Sequence, residues 1–249
     1  MIGLSGVVVV SGAASGIGRA SAEYFAACGA TVVAADLNAE ALATLAADKI
    51  QVVAGDLTRD ADCVRVASSA KALGRVTGLL NCTGLEIHGT VIDMPEADWD
   101  RVIAANLKTM FLLSKHVIPL MISGGGGAVV NMSSVQAIAT QRDVAAYTAT
   151  KGAVISLTRV MAVDHGADKV RVTAICPGTI ETPLARSVAA MYSPDDPQKQ
   201  FDVWGAKHAL NRIGQPIEVA RLAAFLLSDD ASFITGSYHL VDGGMSAML

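Results

Sequence analysis

Val7-Val8-Val9-Val10-Ser11-Gly12-Ala13-Ala14-Ser15-Gly16-Ile17-Gly18 is the stretch on which the fold turns. Four successive valines form a continuously apolar run, as expected of a strand covered on both faces. Three glycines follow in the pattern G-x-x-x-G-x-G, and the residues from Arg19 to Cys28 become amphipathic. Glycine permits tight turning and a close approach of backbone to ligand. A helix that opens straight after such a turn directs its amino end at an anion. The glycine pattern alone is weak. Between a buried strand and a helix it reads as a loop for the pyrophosphate of a dinucleotide.

The same alternation continues along the chain. Strands are predicted at Gly6–Val10, Thr31–Ala35, Gln51–Ala54, Gly78–Asn81, Ala128–Met132, Arg171–Ile175 and Ser237–Val241. Helices are predicted near Gly16–Cys28, Ala39–Ala46, Asp60–Leu73, Glu96–Ile122, Ala145–Gly166 and Pro216–Leu227. Strand–helix alternation implies an α/β fold: a doubly wound, parallel, seven-stranded sheet flanked by helices. A chain of 249 residues suits one such domain, 1–249. No linker divides it; Gly124–Gly127 is too short to be one and reads as a turn. The segment from about 182 to 208 interrupts the sheet pattern with Tyr192, Pro194, Asp195, Asp196, Pro197 and Trp204. An insertion of this kind reads as a lid over a site.

Composition excludes several classes. Hydrophobic residues are 52% and charged residues 17%, yet no unbroken apolar run reaches the ~20 residues of a membrane span. The start, Met1-Ile2-Gly3-Leu4-Ser5-Gly6, has no basic region and no cleavage site, so no signal peptide is expected. The net charge of −4 without a basic block argues against nucleic acid as a partner. Four cysteines, Cys28, Cys63, Cys82 and Cys176, form no C-x-x-C pair and have no histidine at metal-ligand spacing. They read as reduced thiols of a cytoplasmic protein, and no metal site is expected.

The chemistry concentrates around Tyr147 and Lys151. Residues four apart on a helix share a face, so an ammonium is expected beside a phenol. A free tyrosine titrates near ~10, and a neighbouring cation favours the phenolate. The pair is therefore expected to act as an acid/base group near neutrality. Ser134 lies thirteen residues before Tyr147 and ends the apolar run Val129-Val130-Asn131-Met132-Ser133-Ser134. At the carboxyl end of a strand its hydroxyl faces the usual ligand crevice.

These pieces, in order and at these spacings, resemble the short-chain dehydrogenase/reductase family. The matching residues are Gly12, Gly16 and Gly18, Asp56, the Asn81–Gly84 turn, Asn106, Ser134, Tyr147 with Lys151, and Pro177-Gly178; the likeness runs to Asp242-Gly243-Gly244. The resemblance implies a Rossmann-type fold, a homotetramer and an NAD-dependent oxidoreductase acting on a secondary alcohol or its carbonyl. It assigns catalysis to Asn106, Ser134, Tyr147 and Lys151. Tyr147 exchanges the proton, Ser134 holds the reacting oxygen, Lys151 tunes the tyrosine and grips the nicotinamide ribose, and Asn106 binds a water linking Lys151 to solvent. The dinucleotide falls to Gly12, Ser15, Gly16, Ile17 and Gly18, to Asp36 with Leu37, to Asp56 with Leu57 at the adenine, and to Asn81 with Gly84 at the ribose. Pro177, Gly178, Ile180 and Thr182 clamp the nicotinamide amide. Asp36 ends the second strand with Leu37 and Asn38 after it, and no cation follows. A carboxylate there accepts ribose hydroxyls and repels a 2′-phosphate, so NAD is preferred over NADP. Cys82 and Thr83 replace the family's usual residues in Asn81–Gly84, and Thr173 stands where an Asn is usual.

The substrate is less defined. Glu86, His88, Gln136, Gln141 and Arg142 are the polar candidates for its pocket. So many polar groups point to a small polar molecule, with a sugar or polyol favoured. In related 3-hydroxyacid dehydrogenases an arginine close before the tyrosine takes the carboxylate; here that position is Val144, and Arg142 is two residues away. A 3-hydroxyacid dehydrogenase, a 3-oxoacyl reductase and a catalytically silent NAD-binding regulator are the alternatives.

Overall fold

The valines of the opening run divide between two cores. In the computed structural model, which describes residues 2–248, Val7–Ser11 forms strand β1, every residue of it buried. Side chains alternate across a strand. Val8 and Val10 therefore meet Ala22 and Phe25 of helix α1 (Gly16–Ala27) and Val219, Ala223 and Leu226 of helix α9 (Pro216–Leu227). Val7 and Val9 face the other way, toward Val66 of α3 (Asp60–Leu73), Leu113 and Val117 of α5 (Thr109–Ser123) and Met161 of α6 (Ala145–His165). Each fully buried valine contributes about 1.5–3 kcal/mol of transfer free energy. This two-sided burial explains why the run is apolar without alternation.

The remaining strands are β2 (Thr31–Asp36), β3 (Ile50–Ala54), β4 (Val76–Asn81), β5 (Gly127–Met132), β6 (Val170–Pro177) and β7 (Tyr238–Val241). They form one sheet in the order β3-β2-β1-β4-β5-β6-β7, parallel throughout. The order reverses direction between β1 and β4. Beyond the carboxyl ends of those two strands a crevice opens, the usual ligand site of this architecture. A cavity of about 470 Å³ lies instead at the opposite end of the sheet, lined by Leu4, Arg75, Lys169 and Arg171. It contains none of the residues expected to do chemistry.

Expectation and structure differ in three places. Helix α2 covers only Ala39–Ala43, because the Thr44 hydroxyl turns back onto the Ala41 carbonyl (2.7 Å). The long helix expected over Glu96–Ile122 is α4 (Glu96–Ile103) and α5 joined by a single π turn at Ala104–Lys108. The segment 182–208 contains two helices, α7 (Pro183–Tyr192) and α8 (Pro197–Gly205). Each opens on a proline, capped by Thr182 or Asp196, which is the favoured start for a helix. Among the described residues no helix is long and apolar enough to cross a membrane. Cys28, Cys63, Cys82 and Cys176 are all free thiols.

Candidate active site

The glycine loop is shaped by what a side chain would hit. Gly12 (φ 66°) and Gly16 (φ 53°) take left-handed backbone. A Cβ on Gly12 would lie 2.8 Å from the Cys82 carbonyl oxygen, and one on Gly18 only 2.0 Å from the Gly12 oxygen. The loop thus presses against the Asn81–Gly84 turn on one side and its own helix on the other. Ser15 is the N-cap of α1 in extended backbone, without a side-chain capping bond, and the first turn contains no acid. Asp36, at the end of β2, accepts Ala14 N–H at Oδ2 (3.0 Å) and Asn38 N–H at Oδ1 (2.9 Å). Leu37 beside it is exposed.

Four chemical side chains converge across the crevice. Tyr147 lies in the first turn of α6, and Lys151 one turn on, its Nζ 5.3 Å from the centre of the tyrosine ring. Lys151 is buried and donates to the Met132 carbonyl (3.0 Å). Ser134 follows β5, buried in extended backbone, its hydroxyl accepting Gln136 N–H (3.2 Å). Asn106 occupies the π turn, fully buried. Its Nδ2 donates to the Leu85 carbonyl (2.9 Å) and to Thr150 Oγ1 (3.1 Å), and its Oδ1 accepts Leu85 N–H (2.7 Å). The side chain therefore braces the Leu85 backbone, between Gly84 and Glu86. Both amide hydrogens are thereby in use.

The electrostatics reverse one expectation. Burial, then the charge of Glu86, push the Tyr147 phenol above its ordinary range, and the Ser134 hydroxyl only partly offsets them. Tyr147 as a whole is half-buried. Lys151 is itself weakened as a cation, lowered to about 8 by burial, with Cys82, Cys176 and Glu86 acting against that fall. Proximity to an ammonium does not lower the phenol here, because desolvation opposes both charges. Burial also raises Glu86, against the pull of His88 and Lys151. Cys82 is pushed up to about 12 by burial and is an inert thiol.

The polar candidates separate into two groups. Glu86 and His88 are together and largely buried, with His88 Nε2 3.3 Å from Glu86 Oε1. The pair is close enough for attraction but not aligned as a hydrogen bond, and His88 Nε2 has no hydrogen-bond partner. The edge of the Tyr192 ring, from α7, packs on His88 at 5.9 Å, and Trp204 of α8 packs on Tyr192 at 6.5 Å. Gln136 is partly buried, its Oε1 facing the hydroxyls of Thr140 and Thr148. Gln141 and Arg142 are exposed, next to Asp143 in left-handed backbone. Val144 is buried and its strand-like bridge to Gly89 closes the pocket wall.

Several expected dinucleotide residues are structural in their side chains. Asn81 is buried, its Nδ2 donating to Ser114 Oγ (3.1 Å) and Asn131 Oδ1 (2.9 Å). It ties β4 to α5 and β5 through Nδ2, while its Oδ1 is buried without a partner. Asp56 Oδ1 accepts the N–H and hydroxyl of Thr58 (3.0 and 2.7 Å), and Leu57 is buried in the core. Cys82 N–H donates to Ser11 Oγ (3.0 Å), which ties the turn to β1. Thr83 Oγ1 and Thr173 Oγ1 are buried without a partner. Ile180 is buried and bridged to Gly214, Pro177 ends β6, and Thr182 Oγ1 accepts Ala185 N–H (3.1 Å) while its methyl faces Gly16. A Cβ on Gly84 would stand 3.9 Å from Lys151 Nζ.

Comparison with known proteins bears on this geometry. Residues 12–246 match the profile of a family described as "Enoyl-(Acyl carrier protein) reductase". Dehydrogenase/reductase SDR family member 6 of Xenopus laevis is 37% identical over 242 residues, covering 96% of this chain and 97% of that protein. The chain belongs to the short-chain dehydrogenase/reductase family. A 2-keto-3-deoxy-L-fuconate dehydrogenase of Xanthomonas campestris is 38% identical over 240 residues, 96% of this chain and 79% of that protein. The ligand-free aldohexose dehydrogenase of Thermoplasma acidophilum superposes with a TM-score of 0.93 at 37% identity, covering 98% of this chain and 95% of the other. This short-chain dehydrogenase is accordingly an oxidoreductase of CH–OH groups that uses a nicotinamide cofactor. The crevice fits that cofactor: Gly12 and Gly18 leave no room for a Cβ, and the uncapped start of α1 is free of acids. The oxygens of Asp36 each retain a lone pair beyond their backbone bonds.

Proposed function

We propose that this short-chain dehydrogenase uses NAD to interconvert a neutral, hydroxyl-rich secondary alcohol, a sugar or polyol, with its carbonyl form. The observation that carries the substrate class is the buried Glu86–His88 pair beside Tyr147. A buried carboxyl and an imidazole nitrogen without a hydrogen-bond partner require polar partners, and sugar hydroxyls both donate and accept. A carboxylate substrate would meet Glu86 as a like charge, and Arg142, the candidate cation for such a group, is exposed. The name of the aldohexose dehydrogenase supports the same class, whereas the fuconate of the other relative is a sugar-acid anion.

The bound nicotinamide supplies or accepts the hydride. Tyr147 takes the proton from the substrate hydroxyl during oxidation and returns it in reduction. Ser134 bonds the same oxygen and stabilises charge developing on it. Lys151 holds positive charge beneath the phenol and meets the nicotinamide ribose. Asn106 acts through Leu85, fixing the loop that presents Glu86. Gly12, Ser15, Gly16, Ile17 and Gly18 hold the pyrophosphate, and Asp36 with Leu37 the adenine ribose. Asp56, Leu57, Asn81 and Gly84 line the adenine and ribose side through backbone. Pro177, Gly178, Ile180 and Thr182 hold the amide, and the helices of 182–208 close over the substrate. Asp36 disfavours a 2′-phosphate, which supports NAD over NADP.

A screen with NAD and NADP over aldoses, polyols, hydroxy acids and simple secondary alcohols tests this reading. The expected result is NAD-linked turnover of a polyol or aldose. Turnover confined to hydroxy acids would refute the substrate class, and faster rates with NADP would refute the part given to Asp36. Exposed apolar side chains on the outer faces of the two long helices, Phe111, Val160 and Val163, support assembly as a homotetramer. Sedimentation giving a monomer would refute it. Four free thiols suit the reducing cytoplasm.

A further inference from the structure

His208 belongs to none of the groups above, yet it is buried and both its ring nitrogens are engaged. Nδ1 is 2.8 Å from the Trp204 carbonyl oxygen, and Nε2 is 3.2 Å from Thr179 N. A carbonyl only accepts and an amide N–H only donates. The ring therefore holds its hydrogen on Nδ1 and leaves Nε2 bare, a single neutral tautomer selected by its two partners.

Those partners belong to different functional elements. Trp204 is near the end of α8, in the segment read above as a lid. Thr179 lies in the Pro177–Thr182 loop, placed above at the nicotinamide. Other bonds of that loop run elsewhere: Gly178 N–H to the Val241 carbonyl, and Gly214 N–H to the Thr179 carbonyl. The fit around the ring is close. A Cβ on Gly178 would lie 2.9 Å from His208 Nε2, and one on Gly243 3.4 Å from His208 Cβ. From Trp204 the contact chain continues outward, ring edge on Tyr192 and then Tyr192 on His88. A path of direct contacts thus joins the substrate pocket to the cofactor loop.

We propose that His208 is a positioning residue: its bare nitrogen holds the Thr179 amide, and its N–H holds the end of α8, so that seating the lid and fixing the nicotinamide loop become one event. This rests on the functional reading above for the identity of the loop's ligand. The bracing itself does not depend on it.

Three variants separate the two bonds. His208→Gln places an acceptor at the reach of Nε2. His208→Asn keeps a donor near Nδ1 and loses that reach. His208→Ala removes both, beside an existing cavity of about 110 Å³. In the cofactor-free protein, ¹⁵N shifts of the His208 ring should show a protonated Nδ1 and a bare Nε2. The Thr179 amide should exchange about tenfold faster in the Asn variant, the loss expected for one buried hydrogen bond, and stay within about threefold of wild type in the Gln variant. NADH affinity measured by calorimetry should follow the same order, with Asn and Ala weakened about tenfold and Gln largely rescued. A charged ring or the opposite tautomer at neutral pH would overturn the proposal. So would variants that lower only the melting temperature while Thr179 exchange and NADH affinity stay unchanged. If none of the three variants folds, His208 is a packing residue and the proposal falls. Wild-type protein that binds no NADH yet shows the Thr179 exchange pattern would support the brace and refute the functional reading.

Discussion

The glycine loop and the Tyr147 pocket face each other across one crevice but are held by different forces. Along the loop the polar groups answer one another: Asp36 takes two backbone N–H groups, and Ser11 takes the N–H of Cys82. Its geometry is set by contacts too close for any added atom. In the pocket, burial disfavours the charged forms of Tyr147, Lys151 and Glu86 alike, and His88 Nε2 lacks a hydrogen-bond partner. The loop is a steric device and the pocket an electrostatic one. Volume changes should damage the first and charge changes the second.

The largest effect is expected where the pocket does chemistry. Tyr147→Phe removes one hydroxyl and should lower turnover by about 10²–10⁴-fold, while titration shows dinucleotide still binding. Full activity in that variant would remove Tyr147 from the mechanism. On the steric side, Gly18→Ala drives a Cβ to 2.0 Å from the Gly12 oxygen. A loss of roughly 1–3 kcal/mol is expected, about 2–4 °C of melting temperature per kcal/mol in a chain of this size, together with weaker dinucleotide binding. Unchanged melting and binding would show that the loop yields more easily than its contacts imply.

A smaller effect separates the two sides at Asp36. Asp36→Asn removes a charged acceptor and should raise the dissociation constant for NAD by about tenfold or more, while narrowing or reversing the preference over NADP. An unchanged NAD:NADP ratio would sink the charge argument. The smallest effect belongs to Glu86. Burial raises its carboxyl above the ordinary value of 4.5, so the folded protein holds that proton more tightly than the unfolded chain. Stability is therefore lost as pH climbs from the ordinary value through the folded one. Glu86→Gln should melt with wild type near pH 4 and above it at pH 8, by about 1 kcal/mol. The same change removes a charge that raises Tyr147, so the pH–rate profile should move to lower pH. A wild-type-like profile would mean that Glu86 does not sense the phenol.

How far the sequence could be read follows the same division. Steric demands leave marks in residue type: Gly12, Gly16, Gly18 and the valine run disclosed the fold and the crevice because few other residues fit. Charge effects leave no such mark. The spacing of Tyr147 and Lys151 showed that they are neighbours, but not that burial would reverse the sign of the tyrosine's shift. The bonds of Asn81 to Asn131 and Ser114 were not legible, because strand position does not reveal which face a side chain takes. The exposure of Gln141 and Arg142 was equally unmarked in residue type. His208 was invisible as a site residue because one of its partners, Thr179, is 29 positions away.

The π turn at Ala104–Lys108 places one surplus residue in a rod whose two ends are otherwise in ordinary register. Each residue advances a regular helix by about 100°. Deleting Leu107 would close the wide turn and leave α4 and α5 in phase with each other. Asn106 would lose the local swing that carries its side chain to Leu85, although the apolar stripe of α4 kept its seat. The irregularity is in effect a gear tooth: filed away, it leaves both shafts in line and breaks only the contact that it makes.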